Sequence, residues 1–335
     1  MMQNEEKLKI KRRYEDYLLK LQGVTGVGLN GSIIIYVERL TPQLAAMLPR
    51  TLEGVPIRII ETGKIVPLIE AVPVAHAIYA NRTGRFRPAP GGISCGHPVI
   101  TAGTLSCRAI EKRTKRILGL SNNHIVALDW GDRRIGKKGD STLQPAPYDG
   151  GSDPADKIGE LERWIRVELP PVKNLIDAAA FKEIPSDVLR KDILEIGVPE
   201  SSVKPEVGMK VVKSGRTSGI TYGTIIDVNA TVNVRGWGVC TFEDQIMVQP
   251  AFGRPGDSGS WTGTVDTWRS VGLLYAGSPY VTVLCKALNI ERLLDLTIIP
   301  PLPTIPAALL LGAYGMVLGT VQLGLSLKKP KEVAV

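Results

Sequence analysis

Histidine is scarce in this chain. Only three occur, His76, His97 and His124, so chemistry that needs an imidazole has three candidates. Cysteine is almost as rare: Cys95, Cys107, Cys240 and Cys285 stand far apart, with no CxxC or CxxH pair. That spacing argues against a zinc site, and four cysteines in 335 residues do not make a disulfide scaffold. Buried, reduced thiols are expected, with no metal and no cofactor. Aromatic residues amount to 5%, whereas glycine (35) and proline (24) are plentiful. Many turns between short elements follow, which favours β-rich architecture over helical bundles.

Other absences narrow the function. The first residues, "MMQNEEKLKIKRRYEDYLLKLQG", are charged throughout and lack an apolar core, so no secretory signal is read and a cytoplasmic location is expected. Net charge is +8, but the basic residues fall into "KLKIKRR", "EKRTKR" and "KKPK" without interleaved aromatics or a reader motif. No nucleic-acid partner is expected, and these groups read as solvated surface. No repeat of fixed period is present.

What is there divides into segments. Residues near 4–21 show helical spacing, and "VTGVGL", "GSIIIYVE" and "VPIRIIET" read as strands. "LTPQLAAMLPRTL" reads as a short helix capped by Thr41 before Pro42. The result is a small α-β-β-α-β domain over residues 1–79, then a linker over 80–92 rich in charge, proline and glycine. Residues 93–297 alternate short apolar runs with turn signals, as a pair of small β-barrels would. A proline-rich spacer (298–306) leads to "AALLLGAYGMVLGTVQLGLSL", residues 307–327, which carries no charge. A helix of that length spans roughly 30 Å, the thickness of a bilayer's hydrocarbon core. Gly315 and Gly319 form a GxxxG pair on one face. Two expectations stand here: a membrane anchor, or a helix buried in a homo-oligomer.

The chemistry centres on "FGRPGDSGSW", residues 252–261, where Ser258 sits between glycines after a strand-like run. It is either a tight surface turn or a nucleophile. A serine hydroxyl needs an adjacent base, normally a histidine oriented by a carboxylate. His124, in "LGLSNNHIVAL", follows an apolar strand and a polar turn. His97 and His76 are more easily structural. Asp177, in "KNLIDAAAF", is poorly placed for solvent, and burying it costs several kcal/mol without compensation. It is either the partner of an imidazole or an acid capping a strand end.

These segments resemble the chymotrypsin-fold, or trypsin-like, serine peptidases. "GDSGS" is similar to their "GDSGG", "SNNHIVA" to their "TAAHC" and "DAAAF" to their "DIALL", in the family order His124, Asp177, Ser258. "VGLLYAGS" resembles the strand that lines their substrate channel. The similarity covers about residues 91–296. "RPAPGGISCGH", "ITAGTL", "LSNNH", "LQPAPYDGG" and "SGRTSG" resemble a bacterial branch related to the narrow-leaf proteins of plants, in which a small α/β domain precedes the barrels. The resemblance implies a mainly β, two-barrel peptidase core after a small α/β domain, with an apolar C-terminal helix. It implies that Ser258 attacks a peptide carbonyl, that His124 relays the proton, and that Asp177 orients His124. The backbone N–H groups of Gly256 and Ser258 would form the oxyanion hole. Phe252, Gly277 and Ser278 would line the substrate pocket.

Departures from that pattern carry information. Ser260 replaces the second glycine, no cysteine follows His124, and no new N-terminus is evident where digestive members generate one. An acid six residues before the nucleophile is replaced by Phe252, which argues against Lys/Arg preference and for small or apolar residues. No histidine follows Ser258, which excludes the α/β-hydrolase order. The expected function is a serine endopeptidase acting on protein or peptide. The alternative is a peptidase-like binding or scaffold module, membrane-associated through 307–327.

Overall fold

The computed structural model describes residues 3–68 and 81–298. His76, nearly all of the 298–306 spacer and the 307–327 segment lie outside them. Among the described residues no helix is long and apolar enough to cross a membrane.

Helix α1 (Asn4–Leu19) has acidic residues Glu5 and Glu6 in its first turn, where the helix dipole favours them. It packs Ile10 and Leu18 against Val27 and Leu29 of β1 (Val24–Asn30) and Ile33 and Ile35 of β2 (Ser32–Val37). β1 and β2 form an antiparallel hairpin, with Asn30 opposite Ser32. α2 (Pro42–Met47) begins as expected, with the Thr41 hydroxyl accepting the Leu44 N–H at 3.2 Å. It carries the chain over to β3 (Val55–Glu61), which runs parallel to β2. A short strand, β4 (Val66–Pro67), follows.

The rest is mainly β, in two bodies. The first is a six-stranded antiparallel sheet. Its strands are β5 (Cys107–Glu111), β6 (Ile117–Ser121), β7 (Ser141–Leu143), β8 (Lys157–Trp164), β9 (Ala179–Glu183) and, from the far end of the described chain, β16 (Leu296–Thr297). Their spatial order is β7-β8-β9-β6-β5-β16. Between β6 and β7 lies a single helical turn, α3 (Asn123–Val126). The second body contains β10 (Lys210–Gly215), β11 (Gly219–Gly236), β12 (Gly238–Gln249), β13 (Trp261–Thr264), β14 (Ser270–Gly277) and β15 (Thr282–Lys286). Antiparallel pairing runs β12-β15-β14-β13-β10-β11 and returns from β11 to β12, so this sheet closes into a barrel. Helix α4 (Ala287–Leu293) then leads to β16.

Two details refine the segment boundaries read from sequence. β1 pairs with β11, Gly26 opposite Val232, so the N-terminal sheet is continuous with the second body. Residues 81–92 are also built in rather than loose. Arg82 is 4% exposed and donates to the Gly92 carbonyl (3.0 Å) and the Ser214 hydroxyl (2.5 Å). Arg87 donates to the Gln144 side chain at 2.6 Å and to the Asp156 carbonyl at 3.1 Å. Arginine supplies five donors in a fixed fork, and here they fasten a proline- and glycine-rich stretch to both bodies.

Candidate active site

His124 lies in α3 directly after β6, Asp177 just before β9, and Ser258 in the loop between β12 and β13. The first two lie next to strands of the six-stranded sheet and the third lies in a loop of the closed barrel. All three side chains are fully buried. Asp177 grips His124 twice: one carboxylate oxygen meets ring Nδ1, and the other accepts the His124 backbone N–H at 3.1 Å. The Asn122 side chain adds a bond to the Asp177 carbonyl at 2.6 Å. This double hold leaves His124 Nε2, which is buried and has no hydrogen-bond partner. The indole of Trp130 meets the imidazole edge-on, centroids 5.7 Å apart. Ser258 Oγ donates to the Tyr275 carbonyl at 3.1 Å rather than to His124.

The loop around Ser258 explains its glycines. Gly256 has φ +92°, and a Cβ there would come within 2.4 Å of the Thr217 hydroxyl. Gly259 has φ +95°, and a Cβ would come within 2.2 Å of the Thr104 carbonyl. Both conformations suit only a residue without Cβ. Ser260, the departure noted above, donates its hydroxyl to the Asp257 carbonyl at 2.5 Å and so reinforces the turn. Thr104, from "ITAGTL", ties the two bodies together here. Its N–H donates to the Ser258 carbonyl (2.7 Å) and its hydroxyl to the Gly256 carbonyl (2.9 Å).

Asp257 is the hub that residue pattern alone did not single out. It is fully buried and faces Lys213 Nζ at 3.0 Å, also fully buried. It accepts the backbone N–H groups of Thr217 (2.8 Å), Ser218 (3.1 Å) and Arg254 (2.9 Å), and the Ser218 hydroxyl. Burial alone would raise this carboxyl, but the Lys213 ammonium and the fixed donors hold it below the ordinary range. Burial pushes Lys213 toward losing its proton. With four further donors fixed on the carboxylate, the ionised pair is the state the geometry supports. A lysine inside the chain thus anchors the acid beside Ser258. Arg216, two residues before Ser218, forks onto the Asp149 carboxylate, with Nε 2.9 Å from Oδ2. "SGRTSG" and "LQPAPYDGG" meet through that pair.

Two further groups were invisible to sequence reasoning. The Cys285 thiol accepts the Asp177 N–H at 3.0 Å, and burial together with Asp177 pushes it well above the ordinary thiol range. The buried Tyr275 hydroxyl has no hydrogen-bond partner. Nothing in "VGLLYAG" or "VTVLC" marks either residue, because their positions depend on strand pairing. All four cysteines are buried free thiols. His97, the other described histidine, stands apart with its own acid: Nε2 lies 3.2 Å from Asp140 and Nδ1 accepts the Val99 N–H. Among the described residues no group of His, Cys, Asp and Glu could hold a metal ion.

The cleft beside Ser258 is filled by the chain itself. Residues 65–68 lie along β14, with Pro67 opposite Ala276 and Val66 opposite Gly277. The Leu68 N–H donates to the Tyr275 carbonyl at 3.3 Å, and the Gly256 N–H donates to the Leu68 carbonyl at 2.9 Å. Leu68, 6% exposed, packs in an apolar cluster with Phe252 and Leu274. A Cβ on Gly277 would lie 3.7 Å from its Cδ1. Phe252 and Gly277 therefore meet at one apolar pocket. Ser278 sits at its end of β14, where its hydroxyl accepts the N–H groups of Tyr280 and Val281 and closes the hairpin to β15.

No protein-family model matches the chain, and no curated protein matches it. Solved structures of serine proteases are similar to it. Nocardiopsis protease is 16% identical, with 62% of this chain and 97% of that chain covered at a TM-score of 0.45. A glutamic acid specific serine protease is 17% identical over 63% of this chain and 100% of that chain, TM-score 0.47. An alpha-lytic protease homologue is 17% identical over 63% of this chain and 99% of that chain, TM-score 0.47.

Proposed function

We propose that this chain is a serine endopeptidase of the chymotrypsin type, cleaving protein or peptide through an acyl-enzyme. The observation that carries it is the His124–Asp177 pair. A fully buried imidazole is locked at Nδ1 and at its backbone, and its Nε2 is left without a hydrogen-bond partner. A general base needs that arrangement, because the carboxylate fixes the tautomer and stabilises the imidazolium that forms.

Ser258 Oγ turns from the Tyr275 carbonyl to His124 Nε2 and gives up its proton as it attacks the substrate carbonyl. Catalytic hydrogen bonds are often unmade before substrate tightens them. The Gly256 N–H, already bonded to a carbonyl oxygen, receives the developing oxyanion. One such donor contributes about 3–4 kcal/mol to the transition state. His124 then protonates the leaving amine. Water repeats the sequence on the acyl ester. Phe252 and Gly277 select an apolar residue on the acyl side.

The Ser258–Tyr275 bond favours a second reading, a peptidase-like module that binds without hydrolysing. A fluorophosphonate probe separates the two. Labelling that maps to Ser258 and vanishes in folded Ser258→Ala and His124→Ala variants is the expected result. No labelling in the full chain, nor in a variant with residues 65–68 displaced from the cleft, would overturn the hydrolase assignment. Attachment of residues 307–327 to a membrane is part of the proposal and rests on their length and lack of charge. Recovery of the full chain in the soluble fraction without detergent would remove it.

A further inference from the structure

Residues 65–68 do more than cover the site. They lie as an extra antiparallel strand on β14, the geometry by which an extended peptide adds to a sheet edge. The Ile65 carbonyl accepts the Arg235 N–H at 3.0 Å from the opposite wall. Pro67 lies beside Gly236, where an added Cβ would come within 3.0 Å of the Pro67 ring and 3.3 Å of the Trp130 indole nitrogen. Trp130 in turn contacts the His124 ring. The Leu68 carbonyl oxygen rests on the Gly256 N–H, two residues from Ser258, and the Leu68 side chain fills the apolar pocket. Packing alone requires Leu68 to be buried. It does not require its carbonyl to sit on the donor where negative charge would develop.

We infer that the chain is a substrate of its own site and cleaves the peptide bond that follows Leu68. The inference rests on the endopeptidase assignment above and extends it to a substrate class: an extended segment with proline before an apolar residue, here Val66-Pro67-Leu68. Ser258 Oγ bonds to the Leu68 carbonyl carbon as its proton passes to His124 Nε2. The carbon–nitrogen bond to Ile69 breaks, and the Ile69 amine leaves with the His124 proton. Water then attacks the Leu68 ester, delivers a proton through His124 to Ser258 Oγ, and frees the Leu68 carboxylate. Holding the reacting groups in one chain substitutes for an effective concentration on the order of 10⁵ M or more. The fragment 1–68 stays in place after the cut, because β1 remains paired with β11 and β2 with β1.

Intact-mass measurement of freshly purified full chain, incubated over a range of dilutions, tests this. The expected result is two pieces, residues 1–68 and 69–335, that separate only in denaturant and form at a rate independent of dilution. Ser258→Ala should stay whole. Leu68→Asp, which puts a charge against the apolar pocket, should stay whole and label with fluorophosphonate at Ser258. Ile69→Pro, which keeps Leu68 and changes the leaving amine, should also stay whole, and it serves if Leu68→Asp does not fold. An uncut wild type whose Ser258 is labelled, in itself or in Leu68→Asp, overturns the self-cleavage and leaves the hydrolase standing. Cleavage elsewhere, cleavage in Ser258→Ala, or a rate proportional to concentration overturns it as well. An uncut wild type with no labelling in any variant brings down the hydrolase assignment itself.

Discussion

Asp177 and Asp257 are both fully buried aspartates within the same site, yet their surroundings differ in kind. Asp257 meets a lysine ammonium and four other donors, a set that holds its carboxyl below the ordinary range. Asp177 meets an imidazole ring nitrogen and the His124 backbone N–H through its carboxylate, and donates its own N–H to the Cys285 sulfur. The first arrangement ties up every partner; the second leaves the imidazole Nε2 without a hydrogen-bond partner. Identical residues at identical burial are thus divided by their partners, an ammonium with four fixed donors in one case and a single imidazole in the other.

The largest expected break in that comparison is Asp177→Asn. The amide would favour the wrong imidazole tautomer, so turnover should fall on the order of 10⁴-fold while melting behaviour changes little. Steady-state kinetics alongside a thermal melt would show it, and an unchanged rate would remove Asp177 from the mechanism. Lys213→Met should give the reverse balance. It strands a buried carboxylate and should cost about 3–5 kcal/mol of stability, with labelling of Ser258 reduced because the Gly256 turn loosens. Lys213→Met combined with Asp257→Asn should recover part of that stability in denaturant titration. An equal loss in the double variant would mean the pair is not the source.

The smallest effect sharpens the contrast with a third buried acid. Asp227 accepts the Leu29 N–H and the Tyr36 hydroxyl, with no cation in hydrogen-bonding contact among the described residues, and burial pushes its carboxyl up to about 6. Its unfolded value is near 4, so the folded state holds the proton more tightly. The stability it contributes is therefore fully present below about pH 4 and is lost as pH rises through about 6. The loss is roughly 3 kcal/mol. Asp227→Asn removes this titration. The stability of the wild type relative to the variant should fall by that order between pH 4 and pH 7, as read by urea midpoints, and a constant difference would refute the assignment.

Much of this was legible because it is local. The Thr41 cap, the β-rich alternation after residue 92 and the glycine-flanked Ser258 each depend on a few adjacent residues. The burial of Asp177 was readable from "LIDAAAF" for the same reason. What stayed hidden depends on contacts distant in sequence. Lys213 reads as one more strand-end lysine until β10 is folded beside the Asp257 loop. Cys285 looks like an ordinary core thiol until β15 passes beneath Asp177. Residues 80–92 read as a linker because proline, glycine and charge suggest exposure, and sequence does not say that Arg82 and Arg87 find buried acceptors. The occupied cleft was hidden most completely, since "KIVPL" carries no motif and acquires meaning only on β14.

The pairing of β1 with β11 sets how the molecule can be divided. β11 is 18 residues long and outruns β10, and its flank at Thr231 and Val232 is paired by Val27 and Gly26 of β1. A polypeptide begun at residue 81 would bare that flank, together with the apolar sides of Val232 and Tyr36's former neighbours, and unpaired strand edges recruit other strands. Excising the first domain is therefore expected to yield an aggregation-prone product rather than a smaller enzyme. Separation by proteolytic nicking, with both pieces left in place, is the form of division this architecture tolerates.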